Sequence, residues 1–153
     1  MTKILMVCLG NICRSPLAEG ILKSKVNGET IFVDSAGTGA WHSGSLPDKR
    51  SIAIAKKYGI DLTSQRARIF SPEDFDHFDH IYVMDQSNYK TVCRLAPNEK
   101  ALEKVQLILN EIYPDKNMEV PDPYYGGDSG FDDVYQMLNE ACEKIKMKIE
   151  NAL

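Results

Sequence analysis

Two rhythms of apolar and polar residues alternate along this chain. Short apolar runs suited to buried strands fall at Lys3 to Val7, Thr30 to Asp34, His80 to Met84 and Val105 to Leu109. Between them lie stretches with helical signals. Ser15 followed by Pro16 starts one that runs to about Val26, with Ser15 as the expected N-cap and Pro16 as the first helical residue. A second covers Asp48 to Tyr58 and is stopped by Gly59. Ser71-Pro72-Glu73-Asp74 repeats the cap-and-proline signal for a short helix, Asp85 to Leu95 predicts another, and a helical turn follows near Lys100. In the last helix, from about Gly130 to Asn151, Phe131, Val134, Leu138, Cys142, Ile145 and Ile149 recur three and four apart, so one stripe faces a core.

Strands alternating with helices imply an α/β fold, a parallel sheet with helices on both faces. No composition shift or low-complexity stretch marks a linker, so residues 1–153 read as one domain, long enough to bury a sizeable core. In such sheets ligands bind beyond the C-terminal ends of the strands, near the point where strand order reverses. The loop after strand 1, Cys8 to Ser15, is therefore the first place to look. The other long irregular segments are Ala36 to Leu46 and the loop around Pro114 to Pro123.

Composition changes this picture little. With 43% hydrophobic and 26% charged residues, the chain has the make-up of a soluble globular protein that needs no disulfide or metal staple. The run Ile4-Leu5-Met6-Val7 is too short for a signal peptide and no stretch suits a membrane span, so the expected location is the cytoplasm. There the four cysteines are expected to be catalytic or buried rather than paired. The 22 acidic and 18 basic side chains leave a formal net charge of −4, which argues against nucleic-acid binding by charge but leaves room for a local anion site.

Cys8-Leu9-Gly10-Asn11-Ile12-Cys13-Arg14-Ser15 has the chemistry of such a site. A loop wrapped over a helix N-terminus aims backbone N–H groups and the positive end of the helix dipole at one spot, which suits a tetrahedral oxyanion such as phosphate. Cys8 at its base would be held as a thiolate nucleophile by those donors and by Arg14. The Arg14 guanidinium can grip two phosphate oxygens at once. Gly10 suits a tight turn, and Asn11 tolerates a left-handed backbone and can tie the loop down. The competing reading, a buried Cys8 ending a strand with Arg14 on the surface, would not require Gly-Asn in the turn or Ser-Pro at the helix start.

This loop, together with Asp122-Pro123-Tyr124-Tyr125-Gly126, Ser35-Ala36-Gly37-Thr38 and Met84-Asp85-Gln86-Ser87-Asn88, resembles the low-molecular-weight protein tyrosine phosphatases over nearly the whole chain. The resemblance implies a three-layer fold with a four-stranded parallel sheet in the order 2-1-3-4. It also implies hydrolysis of phosphotyrosine, or of small aryl phosphates, through phosphocysteine, with no cofactor and no metal. Inorganic phosphate and other oxyanions should occupy the loop, and a monomer or weak self-association is expected. Asp122, between Pro121 and Pro123, matches the family's general acid and base, although an aspartate before proline is also a common turn residue. Trp41 and Tyr124 fall where the family places aromatic walls, with covering of core edges as the competing role. Ser15 is expected to donate to the thiolate, and Ser35 and Asp85 to brace the loop. Gln65 stands about where many relatives carry a histidine bonded to the loop asparagine. Tyr124 and Tyr125 correspond to residues that can be phosphorylated in the family.

Three alternatives share the fold and loop. Arsenate reductases carry two further redox cysteines after strand 3, where this chain has only Cys93. A phosphocysteine carrier should lack an acid such as Asp122. Protein-arginine phosphatases tend to have threonine at the position of Ile12. Cys13, five residues after Cys8, is a possible redox partner able to trap a sulfenic acid, whereas Cys93 and Cys142 read as core residues. The run Glu73 to His80 offers metal-ligand types, but its spacing matches no closed ligand set, and His42 has no partner visible in sequence.

Overall fold

The structure, a computed structural model, describes residues 1–125 and 128–152, without the side chains of residues 125, 128 and 129. The Tyr125 side chain and Gly126 of the Asp-Pro-Tyr-Tyr-Gly run therefore lie outside the described residues.

Four strands, β1 (Thr2–Cys8), β2 (Ile31–Gly37), β3 (His80–Val83) and β4 (Val105–Leu107), form one parallel sheet in the order β2-β1-β3-β4. The helices are α1 (Arg14–Lys25), α2 (Lys49–Lys57), α3 (Asp74–His77), α4 (Gln86–Arg94), α5 (Glu99–Leu102) and α6 (Asp128–Asn151). Side chains alternate across a strand, so β1 feeds two cores. Ile4, Met6 and Cys8 face a core closed by α1, α2 and α6, while Leu5 and Val7 face a second one with Phe75, Val92 and Ala101 of α3, α4 and α5. The apolar stripe of α6 (Phe131, Val134, Leu138, Cys142, Ile145 and Ile149) lies in the first core.

Chain order reverses direction across the sheet at β1, which has β2 on one side and β3 on the other. Both following segments leave from the C-terminal edge there, and the crevice between them is where the loop after β1 sits.

Several expected boundaries shift. β2 continues three residues past Asp34, because Ser35, Ala36 and Gly37 stay paired with Met6, Val7 and Cys8. Pairing with a neighbouring strand here overrides weak strand propensity. β4 ends at Leu107, and Ile108–Glu111 tightens into a 3-10 turn. Helix α1 begins at Arg14, not Pro16, and Ser15 is not its N-cap. Cys13 holds that position with no side-chain cap, because the Ser15 hydroxyl is committed elsewhere. Among the described residues no helix is long and apolar enough to cross a membrane.

Candidate active site

The loop from Leu9 to Cys13 rests directly on the end of β2. Thr38 and Gly39 donate their N–H groups to the Cys8 and Leu9 carbonyls at 2.9 Å each. A Cβ on Gly37 would come within 2.9 Å of the Leu9 oxygen and 3.0 Å of the Asn11 nitrogen, so only glycine allows this approach. The left-handed turn falls on Asn11, with φ of 55°, and not on Gly10. Gly10 instead makes room for His42, whose Cδ2 would lie 3.1 Å from a Cβ at that position.

Asn11 organises the interior of the loop. Its Oδ1 accepts from the Arg68 N–H at 3.0 Å, which fixes the amide's orientation. Its Nδ2 donates to Ser15 Oγ at 2.8 Å and to Ser35 Oγ at 3.0 Å. Each hydroxyl, having accepted, has its own hydrogen to pass on. Ser35 donates to Glu19 Oε1 at 2.6 Å, and Ser15 Oγ lies 3.0 Å from Cys8 Sγ. A buried polar chain thus runs from Glu19 to the Cys8 sulfur, every link within hydrogen-bond distance. Burial pushes the Glu19 carboxyl above its ordinary range, against the lowering pull of Lys23 and Ser35.

Gln65 takes no part in this chain. Its Nε2 donates to the Pro16 carbonyl at 3.0 Å, and the bracing of Asn11 expected near it comes from Arg68, Ser15 and Ser35.

Arg14 is only 2% exposed and holds two elements at once. Its Nη1 donates to Asp85 Oδ2 and to the Val120 carbonyl, both at 2.8 Å. Asp85 is also the N-cap of α4, accepting from Asn88 N at 2.8 Å, so its carboxylate is fixed from both sides. Asp122 reaches the same guanidinium, Oδ2 lying 3.8 Å from Nη2, while its Oδ1 accepts from Tyr124 N at 3.0 Å.

These groups surround a cavity of about 280 Å³ lined by Cys8, Leu9, Gly10, Ile12, Cys13 and Arg14 of the loop with Trp41, His42, Asp122 and Tyr124 on its walls. Trp41 is 74% exposed and its indole lies over Gly39, where any Cβ would collide with it. Cys13 is buried; burial, reinforced by Asp48 and Cys8, pushes its thiol up to about 12. Cys142 is fully buried in the first core and Cys93 is half-buried against the second. Among the described residues no group of three or more His, Cys, Asp or Glu could hold a metal ion, the Glu73 to His80 run included.

The structure brings together every loop residue singled out in sequence, along with Asp122, Trp41 and Tyr124 at the cavity and Ser35 and Asp85 behind it. Sequence reasoning missed Glu19, Arg68, Gly37 and the wall position of His42. A charged Glu19 inside the apolar stretch Leu17 to Leu22 was a usable signal. Arg68 acts through its backbone N–H, which no side-chain pattern reveals.

Comparison with known proteins agrees with this geometry. The family model described as low molecular weight phosphotyrosine protein phosphatase matches residues 3–152. A low molecular weight phosphotyrosine protein phosphatase of Schizosaccharomyces pombe is 45% identical over 146 residues, covering 90% of this chain and 92% of that protein. The crystal structure of a protein tyrosine phosphatase from Entamoeba histolytica, with Hepes in its active site, superposes with a TM-score of 0.92 at 37% identity and 99% coverage of both chains. A drosophila arginine phosphatase shares the fold at a TM-score of 0.88 and 34% identity, over 97% of this chain and 98% of that one. The chain belongs to the low molecular weight phosphotyrosine protein phosphatase family, a family of hydrolases.

Proposed function

We propose that this protein, acting as a single catalytic unit in the cytoplasm, hydrolyses phosphotyrosine and small aryl phosphate monoesters through a phosphocysteine on Cys8. The observation that carries this reading is the convergence of Cys8, Arg14 and Asp122 on one cavity with aromatic walls. With the dianionic phosphate seated over the uncapped start of α1, Arg14 Nη2 and Nε grip its oxygens, since Nη1 is already engaged. Cys8 Sγ attacks phosphorus in line. As the bond to the phenolic oxygen breaks, protonated Asp122 gives that oxygen its proton. The ionised Asp122 then takes a proton from a water that attacks phosphorus, and the sulfur leaves as thiolate. Ser15, which accepts from Asn11, donates its own hydrogen to that sulfur and eases its departure.

An arginine phosphatase of the same fold makes the substrate a question of walls. Ile12, Trp41 and Tyr124 give the cavity apolar and aromatic surfaces suited to a phenyl ring. Of the four cysteines only Cys8 and Cys13 line the cavity, which speaks against arsenate reduction, and an acid beside the phosphate site speaks against a stable phosphocysteine carrier.

Hydrolysis of an aryl phosphate in EDTA tests the reading. Wild-type protein should turn over without added metal and Cys8→Ser should not; full activity in Cys8→Ser would end the proposed mechanism. Trp41→Ala should lose about tenfold in kcat/KM on aryl phosphates and little on alkyl phosphates, and equal losses would remove Trp41 from the wall.

A further inference from the structure

Two of the tethers that hold the segment carrying Asp122 lie on either side of that residue. On its inner side Val120 donates its N–H to the Met84 carbonyl and accepts from Arg14, both at 2.8 Å. On its outer side the Tyr124 carbonyl accepts from Arg50 Nη2 at 3.1 Å. Each tether lies two residues from Asp122. The second matters for the carboxylate directly, because Asp122 Oδ1 accepts from the N–H of Tyr124 and so turns with that residue.

Arg50 is itself fixed. It lies in the first turn of α2, where Asp48 is the N-cap and accepts from Arg50 N at 2.8 Å, Nε at 3.1 Å and Nη2 at 3.2 Å. Its guanidinium carbon lies 5.5 Å from the centre of the Tyr124 ring and 4.7 Å from that of Phe131. Asp48 in turn donates its backbone N–H to the Ile12 carbonyl at 2.8 Å. A continuous path of hydrogen bonds therefore runs from the phosphate loop at Ile12 through Asp48, Arg50 and Tyr124 to the Asp122 carboxylate. It bypasses the phosphate and ends on the group opposite the nucleophile.

We infer that Arg50 is a positioning residue for Asp122: it sets where the acid's proton lies relative to the leaving oxygen by anchoring the Tyr124 peptide to the start of α2 and, through it, to the phosphate loop. The inference rests on the acid role proposed for Asp122. Arg50 does not line the catalytic cavity, so its removal should act through the acid and not on phosphate binding. A planar guanidinium is needed because one group must chelate Asp48 and reach the Tyr124 carbonyl together; a lysine ammonium keeps the charge but not the fork.

The test is the slope of log kcat/KM against leaving-group pKa for a series of aryl phosphates, in wild type, Arg50→Met, Arg50→Lys, Asp122→Asn and Arg50→Met/Asp122→Asn. The ratio kcat/KM covers the steps up to departure of the phenol, where the acid acts, and excludes hydrolysis of the phosphocysteine. Arg50→Met should lose about tenfold on phenyl phosphate and less than about twofold on a dinitrophenyl ester, whose leaving oxygen needs no proton. Arg50→Lys should unfold close to wild type yet keep the steepened slope, which separates anchoring from folding. In the Asp122→Asn background, Arg50→Met should add nothing. Equal loss on every ester, or a loss that persists without Asp122, would overturn the inference. A steep slope for Asp122→Asn with a flat one for Arg50→Met would overturn it alone, whereas a flat slope for Asp122→Asn would remove the acid assignment and this inference together.

Discussion

The two sides of the cavity are built differently. The nucleophile side is interior: Asn11, Arg14, Ser15 and Cys8 are all buried, with Asn11 tied to Ser15, to Ser35 of β2 and to the Arg68 N–H, Ser15 set beside the Cys8 sulfur, and Arg14 held by Asp85 and the Val120 carbonyl. The acid side is exterior. Asp122 has a third of its side chain exposed and belongs to a short segment tethered at Glu119, Val120 and Tyr124. The difference follows from what each side has to do. A thiolate and the amides around it must not reorganise as charge develops, so they are fixed by packing. An acid that later serves as base must meet both a bulky leaving group and a water, which favours an open position near the rim.

That contrast predicts two kinds of damage. Asn11→Ala removes three hydrogen bonds and leaves a non-glycine residue at φ of 55°. At about 1 kcal/mol per bond, kcat/KM should fall by about 10² or more, equally for good and poor leaving groups. Asp122→Asn should cost about 10²- to 10⁴-fold on phenyl phosphate and much less on a dinitrophenyl ester. A leaving-group-dependent loss in Asn11→Ala would break the division between the two sides.

Cys13 sharpens it further. With its thiol at about 12, Cys13 is un-ionised at neutral pH although it shares the cavity with Cys8. If peroxide converts Cys8 to a sulfenic acid, the Cys13 thiolate attacks the Cys8 sulfur, the S–O bond breaks, and the departing hydroxide takes up a proton to leave as water. The rate of that crosslink should rise about tenfold per pH unit from pH 7 to 9, read by mass spectrometry after a brief peroxide pulse. A pH-independent rate would mean that a different group resolves the oxidised cysteine.

The smallest expected effect concerns the far end of the Asn11 chain. Burial raises the Glu19 carboxyl above its ordinary 4.5, so the folded state holds that proton more tightly than the unfolded one. The stability this group contributes is present below the unfolded value and is lost as pH rises through the folded value. Glu19→Gln has no such loss and still accepts from Ser35. Its stability relative to wild type should therefore improve as pH rises from 4.5 toward neutrality, read by denaturant unfolding. A constant difference across that range would show that Glu19 does not titrate with folding.

The same division governs what was legible in the sequence. Residues of the phosphate loop announced themselves because their types are unusual together: a cysteine, a turn with Gly-Asn, an arginine and Ser-Pro within nine positions. The sheet order followed from the family resemblance, and the helical stripe of α6 from periodicity. What stayed hidden depends on distant chain segments meeting. Ser15 reads as both a cap and a partner of the thiolate, but the hydroxyl that turns inward to Cys8 also accepts from Asn11 and leaves the cap unmade. Gln65 stands about where many relatives carry the bracing histidine, but it bonds the Pro16 carbonyl, and the Asn11 oxygen is held by a backbone N–H of Arg68. Arg50 reads as one more charge on a surface helix until Tyr124, 74 residues later, is placed beneath it.

The measurement that bears most directly on the central claim is a rapid acid quench of Asp122→Asn turning over a labelled dinitrophenyl phosphate, whose leaving oxygen needs no acid. With the base of the second step missing, label should accumulate on the peptide bearing Cys8, fragmentation should place it on the Cys8 sulfur, and Cys8→Ser should carry none. Release of phenol with label on no residue, or on a residue other than Cys8, would contradict the account.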